Sequence, residues 1–419
     1  MTRSRNVAGD PYDRRPGRGE GSGTGRFRLP IAPAIALVGL ILVTVATLSL
    51  TSGRLPFVSG SQGNNGTGPT VAKTPTPPNV VVVPEDPRAH IPGTVVYAKD
   101  GNIWLQSGAS ATELTTGGND MQPSFSADGQ TVYFIRTRQQ RGLWPTAGVV
   151  RSYLLTIPTV MKVPVSGGSP VTLLDGIVDP SGQNVWTSWI REPVVSPDGS
   201  SIAVVSDLPQ PDRSDVVLQL LNVATGKLTS LGLNESQPLG HQDPAWRPDG
   251  KVLLYVRDDR DGAKGIPRIY AWNPATKKSS ALTGPGYIHP AYSADGRWIA
   301  ATRTTAFGTD IVILDGTTGA EVLKVTNDGN SWGPTWSPKG DGIAFLHSNG
   351  QVVDLRLVNL KGSGPSWTLG DALDLTSGAG LDSLSRPDWF IPADQLPPPV
   401  VTPTAVPSVA PASSSPAPS

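Results

Sequence analysis

The feature that most constrains the fold is a short motif that recurs along most of the chain. Each copy has a proline, then alternating apolar residues, then a Gly-containing turn, and then a strongly apolar segment. The copies read QPSFSADG from 122, EPVVSPDG from 192, DPAWRPDG from 243, HPAYSADG from 289, GPTWSPKG from 333 and a truncated RPDWFIP from 386. Self-similarity at a spacing of about 40 to 50 residues predicts a repeat architecture.

Each part of the motif has a mechanical role. The proline opens a strand where the lost N–H donor is tolerated, and the glycine takes a positive φ in the turn. A second strand follows the turn, as in SIAVVSD from 201, then a third, as in DIVILDG from 310, and a weaker fourth, as in EVLKVTN from 321. Four antiparallel strands per repeat make one propeller blade. The turn aspartates are therefore expected to form turns rather than bind calcium: Asp128, Asp198, Asp249 and Asp295.

The two ends of the repeat region solve the closure of the ring. Residues 93–115 supply second, third and fourth strands but no first strand, and residues 386–390 supply a first strand with nothing after it. Joined in one sheet, they leave no open edge between the first and last blades. The sequence thus predicts an all-β fold, a six-bladed β-propeller over 93–392 whose last blade is closed by N- and C-terminal strands.

This pattern resembles the TolB-like β-propeller repeat, a WD40-like repeat also found in the propellers of prolyl oligopeptidase relatives. The resemblance covers roughly residues 93–392 and implies the fold, but it says little about function, because one fold hosts many functions. The family's TolB is a soluble periplasmic protein with an additional N-terminal α/β domain. Here an apolar segment and a linker occupy that position, so a partnership of the TolB–Pal type does not transfer.

Residues 31–50 carry no charge and are long enough, as a helix, to cross a bilayer core of about 30 Å. Only Arg54 follows closely on the C-terminal side, so the positive-inside rule places the N-terminus in the cytoplasm and residues after 50 outside. A cleaved signal peptide is the alternative, but no clear A-x-A site follows. The N-terminal flank holds Arg3, Arg5, Arg14, Arg15, Arg18, Arg26 and Arg28.

The remaining segments are predicted not to bury a core. Residues 1–30 read as a disordered cytoplasmic tail and residues 51–92 as a Pro/Gly/Thr-rich stalk outside the membrane. Residues 393–419 form a Pro/Ala/Ser-rich disordered tail. We therefore expect a single-pass protein of the cell membrane with an extracytoplasmic propeller.

Composition excludes several classes of function. Lys plus Arg equals Asp plus Glu, at 34 each, so no basic field favours nucleic acid. The chain has no cysteine, which excludes disulfides, thiolate metal sites, cysteine nucleophiles and a lipid-modified N-terminal cysteine. No G-x-S-x-G, P-loop or H-E-x-x-H motif is present.

A ring of polar residues is the first candidate site. The residue before each motif proline should lie near one mouth of the central channel, and only Gly333 among them is apolar. The strand pattern does not require this polarity, so we predict a ligand-binding ring; the alternative is that these side chains are solvated or paired with one another. Oxygen ligands there would favour Ca²⁺, but no dedicated ligand spacing occurs, and we predict no metal or cofactor. The ring residues are Gln122, Glu192, Asp243, His289 and Arg386.

Two long insertions give the second candidate. Residues 137–160 interrupt the first blade and the linker 178–192 precedes the second, and both are expected to be loops that carry a partner surface or serve as simple lids. Four tryptophans are predicted to lie in such loops: Trp144, Trp186, Trp189 and Trp332.

We therefore expect a membrane-anchored binding or scaffold protein, monomeric and not an enzyme. Its partner would be an envelope protein, peptide or glycan. The alternative is a propeller-type lyase or glycan hydrolase that uses Glu192, Asp243, His289 and Arg386 at the channel mouth, since acids, His and Arg serve general acid–base chemistry.

Overall fold

A computed structural model describes residues 85–146, 149–179, 185–211, 214–233, 240–257 and 267–396. Within these ranges the chain is all-β, apart from short 3₁₀ helices at Pro87–His90 and Ala393–Gln395. No helix in them is long and apolar enough to cross a membrane. The predicted tail 1–30, the predicted span 31–50, residues 51–84 of the predicted stalk and residues 397–419 of the predicted C-terminal tail lie outside the described residues.

Six four-stranded antiparallel sheets and one two-stranded sheet form in the described ranges. In chain order the strands are β1 (Thr94–Lys99), β2 (Asn102–Ser107), β3 (Ser110–Glu113), β4 (Asp120–Phe125), β5 (Thr131–Thr146), β6 (Val149–Pro164), β7 (Val171–Asp175), β8 (Ile177–Val178), β9 (Trp186–Thr187), β10 (Ile190–Val195), β11 (Ser201–Ser206), β12 (Val217–Asn222), β13 (Leu228–Ser230), β14 (His241–Trp246), β15 (Leu253–Arg257), β16 (Arg268–Asn273), β17 (Lys278–Ala281), β18 (Tyr287–Tyr292), β19 (Trp298–Thr305), β20 (Gly308–Asp315), β21 (Glu321–Lys324), β22 (Ser331–Trp336), β23 (Gly342–Ser348), β24 (Val353–Lys361), β25 (Thr368–Asp374) and β26 (Asp388–Phe390).

Blades 1 to 5 are consecutive in the chain, and blade 6 joins its two ends. The first five are β4-β5-β6-β7, β10-β11-β12-β13, β14-β15-β16-β17, β18-β19-β20-β21 and β22-β23-β24-β25, and the sixth is β26-β1-β2-β3. In blade 6, Thr94 pairs with Phe390 and Val96 with Asp388. The six-bladed fold and its predicted closure are therefore confirmed.

The core lies between blades. Six clusters of buried apolar residues each join two neighbouring blades; one packs Tyr133 and Ile135 of blade 1 against Ile202 and Val204 of blade 2. Blade 6 shares one cluster with blade 5 and another with blade 1. Because every blade needs a neighbour on each side to cover its faces, ring closure removes the last exposed core surface.

The predicted turns between first and second strands form as expected. In blade 2, Asp198 Oδ1 accepts a hydrogen bond from the Ser200 N–H at 3.0 Å, and Gly199 has a φ of 70°. A left-handed φ there suits glycine because it has no Cβ. The aspartates that accept in this way from the backbone two residues on are Asp128, Asp198, Asp249 and Asp295.

The alternation of strand direction gives the propeller two distinct faces. We name the face where first strands begin the entry face; turns between second and third strands and the connections between blades also lie there. In blade 3, for example, His241 at the start of β14 pairs with Arg257 at the end of β15. The opposite, exit face carries the Asp-Gly turns. Both ends of the described chain join the propeller there, because Thr94 pairs with Phe390, the last residue of β26.

The insertion at 137–160 was predicted to be a loop, and this prediction is wrong. The segment continues two strands of blade 1. β5 and β6 pair without interruption from Thr131–Pro164 to Thr146–Val149, whereas β4 pairs only with 132–136 of β5. The pair therefore extends beyond blade 1 as a two-stranded hairpin on the entry face. We name residues 137–158 the projecting hairpin.

Candidate functional site

The predicted ring residues sit on β-bulges in the first strands. The ladder between first and second strands shifts register at this position in each of blades 1 to 5. A bulge with a left-handed residue turns one N–H away from the ladder, and that N–H then needs another acceptor. The bulge residues have φ between 51° and 61°: Gln122, Glu192, Asp243, His289 and Gly333.

The missing acceptors come from the preceding blade. The Glu192 N–H donates to Gln122 Oε1 at 2.9 Å, and the Asp243 N–H donates to Glu192 Oε2 at 2.5 Å. The His289 N–H in turn donates to Asp243 Oδ2 at 3.0 Å. The side chains of Gln122, Glu192 and Asp243 thus each bond their own blade to the next one. We call this series of hydrogen bonds, which runs from blade 1 to blade 4, the relay.

Hydroxyl groups complete the relay where a ring side chain cannot accept. The Gly333 N–H donates to Thr302 Oγ1 at 3.0 Å, and Thr302 Oγ1 also lies 3.2 Å from His289 Nδ1. The Gln122 N–H donates to Ser385 Oγ at 2.8 Å. The bulge N–H of every blade from 1 to 5 is therefore bonded to the blade before it, including the link from blade 6 to blade 1.

Arg386 reaches across the channel instead of along the ring. Its Nη1 donates to the Pro290 carbonyl at 3.1 Å and its Nη2 to the Pro244 carbonyl at 3.2 Å, on blades 4 and 3. Its Nε lies 3.9 Å from Asp243 Oδ1. Gly333 makes room for this side chain, since a Cβ there would lie 3.3 Å from Arg386 Cγ. The one apolar ring position is thus explained by the arginine beside it.

Burial perturbs two of the ring groups in opposite directions. It raises the pKa of Glu192, and the negative charge of Asp243 adds to the effect. It also lowers the pKa of His289, although Asp243, whose Oδ1 lies 3.6 Å from Nε2, opposes that shift. Both shifts favour the neutral form of each residue.

A further, partly buried acid, Asp388, which was not predicted from the repeat, lies one step down the channel. Asp388 Oδ2 accepts from the Phe125 N–H at 2.9 Å, and Oδ1 accepts from the Trp389 N–H at 2.8 Å. Burial raises the pKa of this carboxyl. Asp388 therefore links blade 6 to blade 1. The signal that could have revealed it is an acid at a repeat position held by Ser124, Val194 or Ala245 in other blades.

The geometry gives the ring residues a structural reason for their polarity. One carboxylate oxygen each of Glu192 and Asp243 is occupied by a backbone N–H, and an unsatisfied buried N–H costs about 1 to 3 kcal/mol. Among the described residues, no three His, Asp or Glu side chains are arranged to hold a metal ion. A ligand role for the ring remains a prediction.

The four predicted tryptophans are placed on the entry side, although not all in loops. Trp186 lies in β9 and stacks edge-on with Tyr153 of the projecting hairpin, with 5.3 Å between ring centroids. Trp189 carries the Arg191 guanidinium 5.7 Å above its ring. Trp332 belongs to β22, and its Nε1 donates to the Ser383 carbonyl at 2.9 Å. Trp144 lies in β5, paired with Arg151.

Exposed apolar side chains also concentrate on this face. Phe307, in the turn between β19 and β20, is 93% exposed, and Leu384, between blades 5 and 6, is 44% exposed. Other large exposed apolar residues lie near the exit end of their strands: Val171 and Leu369. Those on the projecting hairpin are Leu143, Val149, Val150 and Leu154.

Similarity to known proteins agrees with the repeat and the fold. Residues 186–368 match the PD40 family model, the TolB beta propeller domain, from just before blade 2 into blade 5. An uncharacterised protein of Agrobacterium fabrum is 28% identical over 305 residues, which cover 68% of this chain and 94% of that protein.

Two solved structures align with most of this chain. TolB from Acinetobacter baumannii aligns with a TM-score of 0.50 and 17% identity over 73% of this chain and 68% of that one. A candidate TolB from Agrobacterium tumefaciens aligns with a TM-score of 0.47 and 17% identity over 72% of this chain and 95% of the other. At this identity the likeness to the Acinetobacter protein supports the fold alone.

Proposed function

We propose that this chain is a membrane-anchored, extracytoplasmic binding or scaffold protein that recognises an envelope protein, peptide or glycan through the entry face of its propeller. The anchor is the apolar segment 31–50, with the N-terminus in the cytoplasm. The proposed function of the chain includes no catalytic step. The TolB-like repeat supports a propeller of a kind suited to binding, without identifying the partner.

The observation that carries this proposal is the convergence of distant sequence features on one face. The channel mouth, the projecting hairpin, Trp186, Trp189 and the exposed ring of Phe307 all lie at the entry face. The exposed aliphatic side chains of the projecting hairpin lie close together along two paired strands. A large exposed apolar patch marks an interaction site, and Trp and Tyr are enriched at binding hot spots.

A channel-mouth lyase or glycan hydrolase is the second candidate. It is favoured by one observation, the close approach of Glu192, Asp243 and His289 with a raised pKa at Glu192, since a general acid needs such a shift. The involvement of the same carboxylates in the backbone relay weighs against it. Glu192→Gln keeps an acceptor for the relay, so loss of turnover on envelope polysaccharides in that folded variant would favour the enzyme.

The binding proposal is tested by affinity capture from native membranes with the full-length chain. The double variant Phe307→Ser with Leu384→Ser changes exposed side chains of the entry face, and Val171→Ser with Leu369→Ser is the matched control near the exit face. Proteins or glycans retained by the wild type and the control, but lost with the entry-face variant, support the proposal. Equal retention by all three proteins would contradict it.

A further inference from the structure

The projecting hairpin is cationic as well as apolar. Residues 137–160 contain no Asp or Glu. Arg138 at its base pairs with Asp175 of β7 at 2.9 Å, but Arg141 and Arg151 are exposed nearer the tip. No carboxylate in the described part of the chain forms an ion pair with either of them. The outer part of the hairpin thus presents positive charge beside aliphatic side chains.

Neither face of the hairpin is covered at its tip. Consecutive strand residues point to opposite faces, and the consecutive residues Val149 and Val150 are 58% and 59% exposed. Leu143 and Leu154, on the same face as Val150 by the register, are 43% and 71% exposed. A protein that docked on one face would leave the other in water, whereas a lipid surface surrounds an inserted tip.

The base of the hairpin is held firmly, so the tip is presented in a fixed place. Leu155 and Ile157 are buried, and Thr187 Oγ1 of β9 donates to the Thr156 carbonyl at 2.8 Å. Gly142 lies where Val185 crosses the hairpin, and a Cβ there would clash with the Val185 carbonyl. The linker β8–β9 thus braces one face of the hairpin up to this level, and Val149, which lies beyond it on the same face, is exposed.

We propose that the hairpin tip docks on a membrane surface rich in anionic lipid. Leu143, Val149 and Val150 enter the interfacial region, and Arg141 and Arg151 meet the lipid phosphates. Positive charge without acid suits such a surface, where each basic residue contributes, and aliphatic side chains add buried area. Self-association through this hairpin is disfavoured, because two copies would bring like charges together.

The predicted anchor permits this contact although the chain enters at the exit face. Residues 51–84 would span at most ~120 Å if fully extended, several times the length of a blade strand of about 20 Å. The propeller can therefore turn its entry face toward the membrane that holds it. The lipid contact does not depend on the partner proposed above, and it is tested by a separate readout.

The absence of cysteine from the chain allows a direct test. Val150→Cys, labelled with an environment-sensitive fluorophore, is reconstituted as full-length protein into phosphatidylcholine vesicles with or without phosphatidylglycerol. Some vesicles also carry a nitroxide quencher near the lipid headgroup. Val171→Cys, a similarly exposed valine near the exit face, is the matched control. Urea unfolding of both labelled proteins verifies that each is folded.

We expect a blue shift and nitroxide quenching at position 150 in phosphatidylglycerol vesicles and neither at position 171. Arg141→Gln and Arg151→Gln should each lower the docking equilibrium about fivefold. Equal quenching at 150 and 171, or quenching at 150 that does not depend on phosphatidylglycerol, would overturn the proposal. A blue shift at 150 without lipid quenching would assign the tip to a protein contact and overturn it as well.

Discussion

The ring at the channel mouth and the projecting hairpin share one face of the propeller but use their side chains in opposite ways. The ring is polar, and its groups are bonded to neighbouring blades, with the Asp243 side chain only 5% exposed. The hairpin tip is largely apolar, and its aliphatic groups contact solvent. Polar residues in a channel suggest a binding site, but here their hydrogen bonds to neighbouring blades already account for their polarity. Nothing within the fold requires Val150 or Leu154 to be apolar and exposed.

Residue type alone therefore does not locate a binding surface in this propeller. A polar group that satisfies a buried N–H stabilises the fold, and its removal leaves an unsatisfied donor. A cluster of exposed apolar groups such as that on the hairpin contributes little to folding, so its presence points to a partner.

The largest effect is expected from Asp243→Ala. The change removes the acceptor of the His289 N–H and the carboxylate beside the partly buried Arg386 guanidinium, so we expect a loss of about 3 kcal/mol in the free energy of unfolding. Urea denaturation measures it. Asp243→Asn, which keeps an acceptor, is the control and should lose less. An alanine variant as stable as the wild type would show that the relay does not stabilise the ring.

Gly333→Ala tests the space that the ring leaves for Arg386. A Cβ at this left-handed residue meets Arg386 Cγ at 3.3 Å, so we expect a loss of about 1 to 2 kcal/mol. Gly340→Ala is the matched control, because its φ is 76° but no atom lies within 4 Å of the added Cβ. The difference between the two unfolding free energies isolates the contact with Arg386, and equal losses would remove it from the account.

His289 should make stability depend on pH. Because burial lowers its pKa below the ordinary value of 6.5, the folded state binds fewer protons than the unfolded state. Its contribution to stability is present above pH 6.5 and is lost as pH falls from there through the folded pKa, by at most about 1.4 kcal/mol per pH unit. Unfolding of the wild type and His289→Gln between pH 7.5 and 5 gives the difference. A difference that does not change with pH would mean that the imidazole is not held neutral.

The smallest effect on stability is expected on the hairpin. Val150→Ser changes a side chain that is 59% exposed, and surface substitutions usually stay within about 0.5 kcal/mol. Thermal unfolding tests this. A large loss would mean that the exposed aliphatic groups serve the fold, and the contrast with the ring would fail.

Most of the fold could be predicted from the sequence because the repeat specifies it locally. The motif proline and the apolar second strand recur in all six blades and the Asp-Gly turn in blades 1 to 4. The unmatched strands at 93–115 and 386–390 predicted the closure. Each blade needs the same local structure, so six weak signals reinforce one another.

The hairpin and the relay could not be predicted, for different physical reasons. Residues 137–160 were expected to connect the second and third strands of blade 1. They include Gly142, Pro145 and Gly148, and glycine and proline favour loops over strands. The relay depends on left-handed bulges that free an N–H for the neighbouring blade, and such contacts between residues about 50 positions apart leave no local pattern. The only available hint was an acceptor at the same repeat position in Gln122, Glu192 and Asp243.

Hydrogen exchange of the full-length chain, compared between native membranes and detergent, tests whether the entry face is the binding face of the propeller. We predict slower exchange in native membranes at 143–154 and 305–308 on the entry face, with no change in the exit-face turns at 197–200 and 247–251. Protection gained at those exit-face turns, with 143–154 and 305–308 unaltered, would contradict the account.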